Sequence, residues 1–402
     1  MIKNFLRKNQ IVFLFLFFTP FNTYSQTIPG INNLIDNNLD LLKNKNIGFI
    51  TNHSGLTKEG EKSWKALNDL NNITISKLFS PEHGFLGEFA DGEKIDYVKI
   101  DSLPKLYSLY GKTRKPTSEM FSDLDLIIYD IQDVGARFYT YISTLGYCME
   151  KAAEMNIDFI VLDRPNPLSG NLISGPILDM KYSSFIGMYP IPSVYGLTIG
   201  ELAKMIVDMG WIKKTPNLTV IPMKNWSRNF FYNDTELLWV PPSPNIPGLE
   251  TAIIYPATVL FEATNISEGR GTSKPFKTFG APWIDNKKLL KELNKLNLKS
   301  VKFKKTNFTP IEIQGKAVNP KYLNSKCFGI EITITDKYNY DPVFINLNLI
   351  KTINYLFPDN VIINEKRMSQ LLGLEKFNIF STKTQINEIV QFKNISKSFY
   401  IY

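Results

Sequence analysis

The sequence predicts an α/β protein in which a mostly parallel sheet is followed by a smaller C-terminal α+β domain. From about residue 45 to residue 223, short apolar segments alternate with amphipathic, helix-like segments. Continuous apolar strands that alternate with helices are typical of a parallel sheet covered on both faces. After residue 240 the proline-rich run 241–248 interrupts this order. We therefore predict one domain over residues 27–245 and a second over 246–402.

The elements of both domains follow from this reading. In the first domain we expect strands at 46–51, 73–79, 124–129, 159–162 and 218–223, and helices at 62–70, 140–155 and 197–209. The helix at 197–209 has the clearest start, because Thr198 is a good N-cap and Glu201 follows three residues later, as in a capping box. In the second domain we expect helices at 287–296 and 343–356, strands at 301–304 and 329–335, and short helices after residue 360.

Residues 1–26 have the layout of a secretory signal peptide. Lys3, Arg7 and Lys8 form a basic start, an apolar run covers 11–18, and a polar stretch follows. The apolar run is short for a bilayer span, so we expect cleavage and export to the periplasm or the extracellular space, without stable membrane insertion. An uncleaved membrane anchor is the alternative. Removal of the three basic residues lowers the formal charge from +8 to +5.

This modest positive charge forms no basic and aromatic stripe, so we do not expect nucleic acid as a partner. Cys148 and Cys327 are expected to be buried free thiols, because Cys148 lies in an apolar, helix-like segment; a disulfide is the alternative. The sequence has two histidines, no HExxH motif, no cysteine cluster and no GxGxxG after a strand. We therefore expect neither a metal nor another cofactor. The sequence does not indicate an oligomeric state.

Polar clusters follow four of the predicted strands, at 51–55, 81–84, 130–133 and 163–167. Ligands of open α/β sheets bind outside the carboxyl ends of the strands, so we expect these clusters to meet at one edge. Turns and helix caps recruit the same residue types, which is the structural alternative. From these clusters we select six candidate substrate-binding residues: Asn52, Gln132, Asp133, Asp163, Arg164 and Asn166.

Glu82 is the candidate catalytic acid. A carboxyl group at a strand end, partly shielded from water, can give its proton to a leaving oxygen. Alternatively, Glu82 caps the next helix. We include His83 among the catalytic residues, with a role in orienting Glu82 rather than in binding a metal. Ser54 and Ser80 lie near His53 and His83 in sequence, so an esterase or amidase with a serine–histidine pair is a rival hypothesis.

The segment 130–141 combines carboxylates with aromatic residues. Tyr139 and Tyr141 can stack on sugar rings, while Asp130 and Asp133 accept hydrogen bonds from hydroxyl groups. Arg137 is a further candidate ligand. A structural pair between Asp133 and Arg137 explains the same pattern equally well.

A second charged segment lies at 261–272 and contains Glu262, Glu268 and Arg270. The glycines that flank Arg270 allow its backbone to approach a ligand closely. Its guanidinium can bind a carboxylate through two parallel hydrogen bonds. A structural arginine that links the two domains is the alternative.

Six segments carry a family resemblance: SPEHGF at 80–85, LYSLYGKTRKP at 106–116, YDIQDVGARFYTYIST at 129–144, DRPNP at 163–167, WVPPSPN at 239–245 and SEGRGT at 267–272. Together they closely resemble the exo-β-N-acetylmuramidase family, which was long catalogued as a domain of unknown function. The resemblance extends in the same order over nearly the whole mature chain. It implies a Rossmann-like N-terminal domain, a smaller C-terminal domain and an active-site cleft between them.

The resemblance also implies an activity: release of terminal β-linked N-acetylmuramic acid from peptidoglycan-derived saccharides, with Glu82 at the position of the family's proposed catalytic glutamate. Most glycoside hydrolases use a second carboxyl group. The candidates are Asp130 and Glu268, which we place among the catalytic residues, and Asp133 and Glu262, which we place among the substrate ligands. Attack by the acetamido oxygen of the substrate is the alternative to all four.

Muramic acid differs from glucosamine by a lactyl carboxylate, for which Arg270, Arg137 and Arg164 are the candidate partners. A glycan-binding protein without catalytic activity is the competing hypothesis, and such a protein would tolerate the loss of Glu82. Recovery of sugar from cell-wall fragments requires confinement, which favours the periplasm over the extracellular space.

Overall fold

The structure is a computed structural model that describes residues 25–87, 104–111, 113–375 and 382–402. The predicted signal peptide, apart from its last two residues, lies outside the described residues. No helix in these ranges is both long enough and apolar enough to cross a bilayer.

The described strands are β1 (Asn46–Thr51), β2 (Thr74–Ser80), β3 (Lys105–Ser108), β4 (Leu126–Asp130), β5 (Asp158–Leu162), β6 (Ile173–Ile177), β7 (Pro192–Tyr195), β8 (Leu218–Ile221), β9 (Thr278–Ala281), β10 (Val301–Phe308) and β11 (Cys327–Ile334). The described helices are α1 (Gly30–Asn37), α2 (Ser63–Asn68), α3 (Ser118–Phe121), α4 (Tyr141–Glu154), α5 (Ile199–Asp208), α6 (Leu249–Thr258), α7 (Asn286–Lys295), α8 (Pro342–Leu356), α9 (Glu365–Leu372) and α10 (Thr382–Ser396).

In the described part of the chain, six strands form a parallel sheet in the order β3-β2-β1-β4-β5-β8. The central strands read as apolar runs because both faces of the sheet are covered. Phe49 and Ile128 pack in one core with α1 and α2, whereas Ile50 and Tyr129 face a second core that contains residues of α4 and α5. Thr51 pairs with Asp130. The carboxyl ends of β1 and β4 therefore lie level, and the loops that follow them start at the same edge.

The C-terminal domain contains an antiparallel sheet, in the order β10-β11-β9, that packs against α7, and α7 in turn contacts α8. The α4–α5 core continues into this domain without interruption and includes Phe279, Ile330 and Leu349. The two domains are consequently held together by shared apolar packing.

The predicted fold class is confirmed, and most predicted elements lie within a few residues of the observed ones. The capping box of α5 is present, since Thr198 accepts from the backbone of Glu201 and the Glu201 side chain accepts from the backbone of Thr198. Both cysteines are free and buried, as expected. The hairpin of β6 and β7 was not predicted, because the ISGPI sequence of β6 contains a glycine and a proline and has no clear apolar pattern. The boundary between residues 245 and 246 stays a prediction.

Candidate active site

A cavity of about 390 Å³ opens between the two domains, beyond the carboxyl end of β2. From the N-terminal domain it is lined by Glu82, His83, Tyr110, Arg114, Phe138, Tyr139, Thr140, Ser184, Phe185, Ile186, Ser243 and Asn245. Ile246, in the proline-rich run 241–248, also lines it, and the C-terminal domain contributes Tyr255, Glu262, Arg270, Phe276, Arg367, Gln370 and Leu371. Five of the sequence-predicted site residues therefore meet in one cleft: Glu82, His83, Tyr139, Glu262 and Arg270.

Glu82 reaches this cavity because of a sharp turn after β2. His83 and Gly84 have φ angles of +69° and +76°, so two successive residues adopt the left-handed conformation. Glycine adopts it freely, and histidine is among the side chains that tolerate it best. Glu82 is 4% exposed, and its Oε2 accepts a hydrogen bond of 2.6 Å from the hydroxyl of Thr140, the residue that precedes α4. Glu82 is thus held by the side chain of the residue at the start of α4 and does not itself cap the helix.

Aromatic side chains form much of the cavity wall. The Tyr139 ring lies 6.5 Å from the His83 ring and packs edge-on against Tyr141 at 4.7 Å. Tyr141 does not itself line the cavity. Its buried hydroxyl donates to the carbonyl of Pro242 at 2.6 Å and accepts from Asn52 Nδ2 at 2.9 Å. Tyr141 and Asn52 therefore support Tyr139 from behind.

Two carboxylates of the C-terminal domain are held by cations. Glu262 lines the cavity, and Arg270 and Arg367 each approach one of its oxygens at 2.8 Å. Glu268 is buried next to this group and pairs with Arg270 at 3.3 Å and with Lys321 at 3.0 Å. Glu268 is not part of the cavity wall. The ion pairs of Arg270 with Glu262 and with Glu268 both join residues within the C-terminal domain.

Asp130 and Arg164 form a buried ion pair between the ends of β4 and β5. The Arg164 Nε and Nη2 atoms donate to the two carboxylate oxygens of Asp130 at 2.5 and 2.8 Å, and Nη2 also donates to the carbonyl of Leu56 at 2.7 Å. Neither side chain lines the cavity between the domains. The geometry supports neither a catalytic role for Asp130 nor a substrate-binding role for Arg164, because the two side chains bind each other away from the cavity wall.

Gln132, Asp133 and Asn166 build the neighbouring loops. Gln132 Nε2 donates to the carbonyls of Asp133 and Pro165, each at 2.8 Å, and Asn166 Nδ2 donates to the carbonyl of Leu197 at 2.8 Å. These three residues line a separate void of about 10 Å³, which holds at most one water molecule.

Asp133 is bonded to Tyr195 and not to Arg137. Its Oδ2 accepts from the Tyr195 hydroxyl and from the backbone N–H of Gly135 at 2.7 Å. Burial raises the pKa of Asp133 to about 6. Asp133 therefore does not form the expected pair with Arg137. It also does not line the cavity, so the structure does not support its predicted contact with substrate.

Asp163 stabilises the start of α5 and the C-terminus of the chain. It accepts hydrogen bonds from the Gly200 N–H at 2.8 Å, from the Thr198 hydroxyl at 2.7 Å and from the Tyr402 hydroxyl at 2.7 Å. Burial, together with the nearby charge of Glu201, raises the pKa of Asp163 to about 7. All these contacts are structural, so the placement does not support substrate binding by Asp163.

Arg137 is fully buried and binds four backbone carbonyls. Nη1 donates to Pro176 and Ile191 at 2.8 and 2.6 Å, and Nη2 donates to Leu371 and Leu372 at 2.9 Å each. The first two acceptors belong to the N-terminal domain and the last two to the end of α9. The predicted substrate-binding role of Arg137 is not supported, because its guanidinium joins the domains beneath the cleft.

The predictions also missed part of the cavity wall. Tyr110, Arg114, Ser243 and Asn245 lie inside segments that carry the family resemblance, so the motifs contained a signal for them. Arg367 lies in α9, outside every motif, and only the folded structure brings it to Glu262.

The hydrogen bonds described for Ser54 and His53 do not join the two residues as a serine–histidine pair would. The Ser54 hydroxyl donates to Asn52 Oδ1 at 2.6 Å, whereas His53 Nε2 lies 2.6 Å from the carbonyl of Pro241. Across residues 25–87, 104–111, 113–375 and 382–402, His, Cys, Asp and Glu side chains do not gather in groups of three or more that could hold a metal ion.

Comparisons with known proteins identify the family. The N-terminal model of exo-β-N-acetylmuramidase NamZ matches residues 47–250, and the C-terminal model matches residues 253–402. Peptidoglycan β-N-acetylmuramidase NamZ of Bacillus subtilis strain 168 is 45% identical over 332 residues, which cover 82% of this chain and 78% of that protein.

Two crystal structures of DUF1343 family proteins from Bacteroides fragilis have similar folds. Their TM-scores are 0.83 and 0.71 at 33% and 32% identity, and each comparison covers 94% of this chain and 99% of the other. The resemblance predicted from the sequence motifs is confirmed. The chain belongs to the exo-β-N-acetylmuramidase NamZ family.

Proposed function

We propose that this protein is an exo-acting glycoside hydrolase that releases terminal β-linked N-acetylmuramic acid from peptidoglycan fragments. The family and the 45% identical peptidoglycan β-N-acetylmuramidase support this activity. The observation that carries the mechanism is the position of Glu82, a nearly buried carboxyl group in the wall of an aromatic-lined cleft.

Glu82 acts as the general acid. Its Oε2 is occupied by the Thr140 hydroxyl at 2.6 Å, which fixes the carboxyl plane and leaves Oε1 for the substrate. A proton on Oε1 passes to the glycosidic oxygen as the bond from that oxygen to the anomeric carbon breaks. The aromatic wall around Tyr139 provides an apolar surface for the sugar ring and keeps water away from the acid.

The second catalytic group is the acetamido oxygen of the substrate. Of the four carboxylates considered for this role, Asp130, Asp133 and Glu268 do not line the cavity. Glu262 does, but each of its oxygens already binds an arginine at 2.8 Å. A carboxylate with both oxygens in ion pairs is a weak nucleophile and a weak base, since attack would break those pairs. Within the described residues, this arrangement favours substrate-assisted attack, in which the acetamido oxygen bonds to the anomeric carbon as the leaving group departs. Water then attacks the anomeric carbon, the bond to the acetamido oxygen breaks, and the ionised Glu82 takes the proton of the water.

The mature protein acts outside the cytoplasm, in the periplasm, on soluble saccharides. The support for this placement is the signal-like layout of residues 1–26 and the nature of the substrate. Fractionation of cells that express the full chain tests it: mature protein in the periplasmic fraction is expected, and unprocessed protein in the membrane fraction would contradict it.

Product analysis tests the activity. Purified protein covering residues 27–402 is incubated with short glycan chains whose non-reducing end is N-acetylmuramic acid, and the products are followed by mass spectrometry. We expect free N-acetylmuramic acid from the first time point and no internal fragments. Binding of the chains without any release of sugar would contradict the proposal and favour the glycan-binding alternative.

A further inference from the structure

Among the described residues, basic side chains outnumber acidic ones in the wall of the cleft. Of the residues that line it in the described part of the chain, Glu82 and Glu262 are acidic, whereas Arg114, Arg270 and Arg367 are basic. With both carboxylates ionised the wall has one net positive charge, and with Glu82 protonated, as a general acid must be, it has two. A partly enclosed cavity with this imbalance attracts an anionic ligand.

Arg114 is the source of the excess charge. Arg270 and Arg367 are both bound to Glu262 at 2.8 Å. The Arg114 guanidinium instead lies against two rings, with its central carbon 4.5 Å from the centre of Phe185 and 5.7 Å from the centre of Tyr110. Among the described residues it has no acidic partner, and its side chain is exposed at the cavity.

Stacking on aromatic faces prepares an arginine to bind an anion. The ring contacts hold the guanidinium plane, and they leave the N–H donors at its edge available. Those donors form a fork that matches the two oxygens of a carboxylate. A planar monoanion at the mouth of the cleft is therefore the ligand that this geometry favours.

We propose that Arg114 binds the lactyl carboxylate of N-acetylmuramic acid and so distinguishes this sugar from N-acetylglucosamine. The inference rests on the proposed function, because it assumes that muramic acid occupies the cleft. It replaces the three arginines that the sequence suggested for this role. Arg137 and Arg164 are buried away from the cavity, and Arg270 is engaged by Glu262 and Glu268.

The test compares a charged substrate with a neutral one. The substrates are 4-nitrophenyl β-N-acetylmuramide and its lactyl methyl ester, which removes the charge of the group and adds a single methyl. We expect the parent to cleave the acid at least about tenfold better in kcat/KM, which is the scale of one charge-assisted contact. Arg114→Gln should abolish this preference, chiefly by raising KM for the acid.

Lys115→Gln is the matched control. It removes the neighbouring cation from the same loop, but Lys115 pairs with Glu150 at 2.7 Å and with Glu154 at 3.1 Å and does not line the cavity. We expect Lys115→Gln to keep the preference for the acid. If Arg114→Gln also keeps it, or loses activity equally on the acid and the ester, the assignment of Arg114 is overturned.

Calorimetry separates this inference from the proposed function, since binding does not require turnover. A parent that hydrolyses neither substrate would contradict the proposed activity. Even then, tighter binding of free N-acetylmuramic acid than of N-acetylglucosamine, lost in Arg114→Gln and kept in Lys115→Gln, would support the role of Arg114. Failure of the parent to prefer N-acetylmuramic acid in this assay would overturn it.

Discussion

Replacement of Arg137 by methionine tests whether this residue joins the domains or binds substrate. The side chain is fully buried, and four carbonyls accept its N–H groups at 2.6–2.9 Å. The Arg137→Met variant fills part of the same volume but donates no hydrogen bond. All four carbonyls lose their charged donor. The carbonyl of Ile191 keeps one bond, from the backbone of Leu178 at 3.2 Å, so three acceptors are left without a partner.

Each buried acceptor without a partner costs about 1–3 kcal/mol, and removal of the buried charge recovers part of that cost. We therefore expect a loss of about 3–4 kcal/mol in the free energy of unfolding. For a chain of this length that corresponds to a fall of roughly 4–5 °C in Tm. The measurement is thermal unfolding followed by circular dichroism, with the exposed Arg114→Gln variant as a control that keeps the parental Tm.

A fall in Tm of less than about 2 °C would refute the structural role that we assign to Arg137. Loss of N-acetylmuramic acid binding with an unchanged Tm would go further and restore Arg137 as a ligand of the substrate. A large fall in Tm, with the parental preference for N-acetylmuramic acid retained by the folded fraction, is the result that the structure predicts.

Two further predictions concern the loop after β4. Gly135 has a φ of +78°, and a Cβ there would lie 2.2 Å from Asn166 Oδ1, whereas a Cβ on Gly60, with a φ of +86°, meets nothing within 4 Å. Gly60→Ala should lower the free energy of unfolding by about 1–2 kcal/mol, because only its backbone conformation is strained. Gly135→Ala should lower it distinctly more, because the clash is added; equal midpoints of urea unfolding for the two variants would contradict the clash. Since burial raises the pKa of Asp133 from 3.8 to about 6, the folded protein binds its proton more tightly, and stability should fall as pH rises from about 4 to 6. Asp133→Asn should reduce this fall of Tm with pH. If the Tm of the parent instead rises relative to that of the variant between about pH 4 and 6, the raised pKa of Asp133 is contradicted.

The sheet could be predicted because its signals are local. β1 and β5 are apolar runs that end in polar residues, and the cap of α5 is contained in four residues. β3 and β6 escaped prediction because they are short, half-exposed strands, whose positions depend on pairing with β2 and β7.

The candidate site was predicted less completely than the sheet, because polar residues at strand ends serve two purposes. Glu82 and Asp130 both follow or end a buried strand, yet Glu82 faces the cleft and Asp130 faces Arg164. To decide whether such a carboxylate faces a cleft or an ion-pair partner, one must know which side chain the fold places next to it. For Arg137 the acceptors at Leu371 and Leu372 lie 234 and 235 residues away in sequence. Such contacts leave no local pattern.

The role of Glu82 as the general acid is the central claim, and a comparison of leaving groups tests it most directly. A good leaving group such as 2,4-dinitrophenol departs without a proton, whereas a sugar hydroxyl needs one. We therefore measure kcat/KM of the parent and of Glu82→Gln on a disaccharide with terminal N-acetylmuramic acid and on 2,4-dinitrophenyl β-N-acetylmuramide. We expect Glu82→Gln to lose about 10²–10⁴-fold on the disaccharide and much less on the dinitrophenyl substrate. Equal losses on both substrates, or full activity of Glu82→Gln on the disaccharide, would contradict this role of Glu82.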